Sequence, residues 1–150
     1  MKKWLVASGL VLALLLAVVP VAGAEGIRGM GELHAWGDGI AGVRGNGEVT
    51  VTGNGVLYFR DLAGDAKWSV SGDGERRDLP GGWITYYGFD GTFKAQGSRI
   101  TVALSGYDVE LWAEGRGVAL LYGNGEYEVN GHHFFWRSDF EPIRLEAPSQ

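Results

Sequence analysis

The chain has 150 residues with 13 Lys and Arg, 18 Asp and Glu, 26 Gly and no Cys. Disulfides, thiolate nucleophiles, cysteine metal sites and a lipid-modified cysteine are therefore excluded. An acidic balance disfavours nucleic acid and anionic membrane surfaces as partners.

The first segment has the form of a secretory signal: Lys2 and Lys3, an apolar run from Trp4 to Val19, then Ala22-Gly23-Ala24. The run is shorter than the roughly 20 residues of a membrane span, so cleavage after Ala24 is expected and no span should remain. Residues 1–24 are read as the signal and 25–150 as one glycine-rich domain. Removing Lys2 and Lys3 leaves 11 basic against 18 acidic residues, a formal charge of 11 − 18 = −7. A two-lysine start, a short signal and absent cysteine together point to a bacterial periplasmic or secreted protein.

From Gly29 a Gly-x-Gly recurs every eight residues, at Gly29/Gly31, Gly37/Gly39, Gly45/Gly47 and Gly53/Gly55, and returns at Gly115/Gly117 and Gly123/Gly125. Such spacing writes five-residue strands joined by three-residue connections. Read as hairpins with a left-handed glycine at the third loop position, it requires Gly39, Gly47, Gly55, Gly117 and Gly125. The register that keeps one apolar face then pairs Leu33 with Val43, Ala35 with Ala41, Val43 with Val49, and Val49 with Phe59. Leu33, Ala35, Ala41, Val43, Val49, Val51, Leu57 and Phe59 form the expected core.

The same register lines up Glu32, Arg44, Glu48 and Arg60 with alternating sign. A parallel β-solenoid, the alternative, would stack Glu32 on Glu48, and like charges directly opposite are destabilising. The antiparallel meander is preferred for that reason.

Residues 32–53 match 110–131 at an offset of 78, with 12 identities in 22 positions. The match implies an internal duplication. Between the copies, Ala66-Trp68-Val70 and Ile100-Val102-Leu104 alternate with polar residues, and Trp83 to Tyr87 is an aromatic strand-forming run. The expected fold is all-β: a meander of about twelve short strands with an internal duplication, as a compact sandwich or closed barrel. Residues 139–150 read as a final extended segment and a loose end.

The hairpin register sets Trp112, Leu120, Glu128 and Trp136 in one row on the face away from the core, with Tyr122 and Phe134 nearby. This row is the candidate ligand-binding strip, since aromatic rings offer large, stiff contact area to sugars or apolar partners. The competing reading makes the strip a second core layer against Trp68 and Trp83. The counterpart of the row in the first copy is His34, Gly42, Thr50 and Tyr58.

His132 and His133 fall where the repeat has Asn54 and Gly55 and are expected in a loop. Adjacent histidines rarely converge on one ion, so neither they nor Glu126, Glu128 and His34 are read as a metal site. Gly37 to Gly42 spells a dinucleotide fingerprint, but a strand follows where a helix is needed. No catalytic Ser, Ser-Lys or zinc-protease motif is present.

The expectation is a non-enzymatic exported structural or protein-interaction module without cofactor or metal. One alternative is a glycan or small-ligand binding module using the aromatic strip, and a second is a polysaccharide hydrolase whose two acids meet only in the fold. Expected partners are a protein or a glycan, together with self-association through edge strands.

Overall fold

A computed structural model describes residues 30–147. The signal segment and its cleavage point lie outside the described residues, as do the last three positions. Strands make up 84% of the structure, with no helix, in one antiparallel sheet that does not close on itself. No helix among the described residues is long and apolar enough to cross a membrane.

Five strands account for the sheet. They are β1 (Gly31–Asp61), β2 (Lys67–Leu79), β3 (Trp83–Val129), β4 (His132–Phe135) and β5 (Ile143–Leu145), with β1 next to β3, β2 on the far side of β3, and β4 and β5 also paired to β3. The expected succession of hairpins is absent, because β1 makes no pair with itself. Each of its runs lies between two runs of β3: Leu33 pairs with Ala113 and Val129, Val49 with Ala95 and Ala113, and Val43 with Val102 and Ala119. Two long strands are wound about one another, antiparallel throughout. The parallel solenoid is excluded with the hairpins.

The glycines explain the difference. Gly47 has φ +146° and Gly115 has φ +156°, neither of them the left-handed turn of a three-residue hairpin. They are partners in register, and a Cβ on Gly47 would fall on the Glu114 carbonyl oxygen while one on Gly115 would fall on that of Asn46. Two backbones cross here with no room for a side chain, so each Gly-x-Gly marks a corner that both strands round together. A true tight hairpin occurs once among the glycine signals of the second copy. Asn130 at φ +49° and Gly131 at φ +81° make a type I′ turn between β3 and β4.

Runs between corners keep the period of two. Leu33, Ala35, Ala41, Val43, Val49, Val51, Leu57 and Phe59 are all buried, as the alternation required, although they reach the core as stacked rows rather than as hairpin neighbours. Corners deliver successive runs to two sets of rows. One set runs from β4 through Glu128, His34, Trp112, Thr50 and Lys94 to Ser69 of β2, and the other from β5 through Val118, Arg44, Thr101 and Arg60 to Trp83. Their inner faces meet in one hydrophobic cluster. Phe59 of the second set touches Phe93 and Trp68 of the first, with ring centroids 5.0 and 5.4 Å apart.

Both ends of the core are stoppered. At the β2 end the Arg76 guanidinium lies 5.4 Å from the Trp68 ring and is held by Asp78 at 2.9 Å. At the other end Trp136, 7% exposed, donates its indole N–H to the Glu126 carbonyl at 3.0 Å, and Leu145 of β5 is buried beside the last rows. The expected extended segment is present as β5, held on β3 with Leu145 buried, after an exposed stretch at 137–142; the chain end lies outside the described residues.

The predicted charge row does not form. Glu32 pairs with Glu114, and Glu48 pairs with the same Glu114 from the other side, so three carboxylates stand in one column. Arg44 and Arg60 both flank Thr101 on the other set of rows. The rule against like neighbours failed because register is dictated by burial of Leu33, Val49 and Ala113, one residue over in each row; burial of such side chains outweighs exposed charge terms several-fold.

Candidate functional site

The outer surface of the β4-to-β2 rows holds a groove of about 510 Å³. Its floor is built from two adjacent columns that cross the strands. One contains Glu128, His34, Trp112, Thr50, Lys94 and Ser69; the other contains Glu32, Glu114, Glu48, Gln96 and Lys67. On β1 and β3 these positions alternate with buried or half-buried ones, which is why short stretches of six segments distant in sequence converge there.

Trp112 stands in this groove with 39% of its surface exposed. Its ring lies on the His34 imidazole, centroids 3.4 Å apart and planes 7° from parallel. Glu110 Oε1 accepts the Trp112 indole N–H at 3.1 Å and lies 3.0 Å from His34 Nε2. One carboxylate oxygen therefore fixes both rings. A parallel clamp holds the neighbouring column, where Glu126 accepts the Trp36 indole N–H at 3.2 Å and lies 3.3 Å from His133 Nε2. Trp36 and His34 are themselves in ring contact at 4.6 Å. An exposed indole restrained at its face and at its nitrogen offers contact area at little further entropic cost.

The acidic column is electrostatically perturbed. Burial raises the Glu48 carboxyl above its ordinary value. Burial also raises that of Glu114, and the neighbouring charges of Glu32 and Glu48 add to the effect. Lys94 and Lys67 lie beyond them, paired in register with Thr50 and Gln96, so the groove grades from acidic to basic across its rows.

Trp112 and Glu128 of the predicted strip line this groove, but the strip itself is not a row. Leu120 pairs with Gly42 on the other set of rows. Tyr122 stacks on Phe140 at 4.4 Å, and Phe134 stacks on Tyr127 at 5.3 Å. Trp136 is buried as the end stopper. The four were grouped through hairpins the chain does not make. His132 and His133 open β4 opposite Val129 and Glu128 rather than occupying a loop. Among the described residues no group of three or more His, Asp and Glu is placed to hold a metal ion.

Sequence reasoning missed His34, Glu48, Glu114, Lys67 and Lys94 as groove residues. Lys94 and Lys67 follow from the pairing of Thr50 with Lys94 and of Gln96 with Lys67, and the others from the β1–β3 register in which residue i of β1 meets residue 162 − i of β3, as His34 meets Glu128 and Gly42 meets Leu120. The offset of 78 between the copies is the only sequence signal for it, because that register lays the midpoint of one copy against the midpoint of the other.

Fold and groove together define an all-β protein with an open, mixed-charge groove on its sheet surface. Compared with known protein families, curated proteins and solved structures, the chain matches none.

Proposed function

We propose that the protein is a non-enzymatic, exported binding module and that the groove around Trp112 receives an extended, hydroxyl-rich ligand, an oligosaccharide. The observation that carries this reading is the open Trp112 ring, held flat on His34 and pinned by Glu110 in a 510 Å³ groove. Sugar rings present an apolar face and a hydroxyl rim. An indole supplies the matching face, and Thr50, Ser69, Gln96 and the flanking carboxylates supply hydrogen-bond partners.

Titration of the mature chain with soluble oligosaccharides, read by tryptophan fluorescence and calorimetry, tests the reading. Saturable binding that Trp112→Ala weakens at least tenfold, about 1.4 kcal/mol, supports it. Absence of binding across neutral, acidic and amino sugars removes it.

An interaction role forms the second reading, supported by β2, which ends the sheet and, among the described residues, has a strand partner on one side only. Its partner would be a protein strand or a second copy. The two row sets sharing one core are consistent with a sandwich built by internal duplication. Support comes from Gly42 pairing with Leu120, the residue at the same place in the second copy, which is what a local two-fold between the copies requires.

A further inference from the structure

We propose that the groove selects a sugar chain bearing a free ammonium group, seated over Glu48 and Glu114 beside Trp112, and that Lys94 and Lys67 fix its direction. The proposal deepens the binding reading above and rests on it.

The argument is one of charge complementarity in a fixed geometry. Glu114 has Glu32 on one neighbouring row and Glu48 on the other, with no cation between them in the column. Adjacent rows are about 4.8 Å apart, so the three carboxylates crowd within about 10 Å. Partial burial raises Glu48 and Glu114, the charges of Glu32 and Glu48 raise Glu114 further, and a cation arriving among the three carboxylates offsets both effects. Trp112, two residues from Glu114 on the same run of β3, lines the same groove, and the ring face that His34 leaves uncovered is within reach of the same charge. An ammonium on a sugar ring meets carboxylate and indole in one placement, which a neutral sugar cannot.

Lys94 is two rows from Trp112 and Lys67 three rows from Glu114, about 10 and 14 Å away. They repel further amines at that end and favour a neutral or anionic one. A ligand charged along its whole length fits only half the groove. The preferred occupant is a short oligosaccharide with its amine at the acidic end.

The mature chain is titrated with a glucosamine oligomer, with its fully N-acetylated counterpart, and with spermine as an amine lacking a sugar ring, in buffer where the amines are charged. The expected result is at least tenfold tighter binding of the glucosamine oligomer than of either comparator. That preference falls with added salt and is lost in Glu48→Gln/Glu114→Gln, a variant that removes repulsion and so retains the fold. Equal or tighter binding of the N-acetylated oligomer, spermine binding as tightly, or a preference that survives the double substitution overturns the proposal. In the first and third cases the glycan reading still stands. If no oligosaccharide binds at all, both fall.

Discussion

His34 and Trp112 stack face to face across neighbouring rows of β1 and β3, although 78 positions separate them, and a single Glu110 oxygen contacts both. The stack presents the Trp112 ring as a rigid part of the sheet surface. His34→Ala should release it: tryptophan anisotropy falls, oligosaccharide affinity drops about threefold to tenfold, and stability falls by about 1 kcal/mol, read by fluorescence and urea unfolding.

Two tryptophans of the predicted strip should behave in opposite ways. Trp136→Ala opens a cavity at the end of the core and removes a hydrogen bond, so a loss of about 3–5 kcal/mol is expected. Trp112→Ala costs under about 1 kcal/mol and spoils binding instead. Thermal melts beside ligand titrations separate the two.

A methyl group at a corner should be costly. Gly47→Ala forces a Cβ against the Glu114 carbonyl at φ +146°, where glycine alone is comfortable. A loss of about 3 kcal/mol or more, or failure to fold, is expected by circular dichroism. An alanine that is tolerated there would mean the strands do not cross at that point.

Glu48 and Glu114 make stability fall as pH rises. Both carboxyls are raised in the folded state, so the native chain binds more protons than the unfolded one just above their ordinary value of 4.5. Their stabilising contribution is complete below that value and is lost as pH climbs through the folded pKa values. Exposed Asp65 and Asp139 shift the other way, so the effect is read as a difference. Denaturant midpoints of wild type and Glu48→Gln/Glu114→Gln should diverge with rising pH, the variant becoming relatively more stable near neutrality.

Arg76 on β2, opposite buried Tyr86, lies over the Trp68 ring and is held by Asp78, so the pair shields that end of the core from water. Replacing both by Val should expose the end of the core and promote association, visible as a concentration-dependent shift on size-exclusion chromatography. An unchanged elution profile would show that this end of the core is covered by other means.

The inward set from Leu33 to Phe59 was legible because alternation is a local property with a period of two, and any sheet must bury that face. The partners of those residues were not. A Gly-x-Gly suits a hairpin as well as a corner, and the choice depends on where a segment 38 to 88 residues away comes to lie, as for Gly53 with Gly91 and Gly37 with Gly125. The same limit governs the groove. Trp112 and Glu128 could be singled out by residue type, whereas Glu32 and Glu114 become neighbours only through long-range register. The like-charge rule misled for a related reason: it ranked an exposed column above the buried side chains beside it.

Winding β1 between runs of β3 has a kinetic consequence. No row of β1 can pair before residue 83 has been synthesised, and its first rows wait for residues as late as 129, because every β1 partner belongs to the stretch 83–129. A nascent first half has nothing to pair with, and nearly all native pairings span long loops, the topology associated with slow folding. Ordering should therefore start with the local β2–β3 hairpin, and the full set of β1 pairings should form only once residue 129 is available.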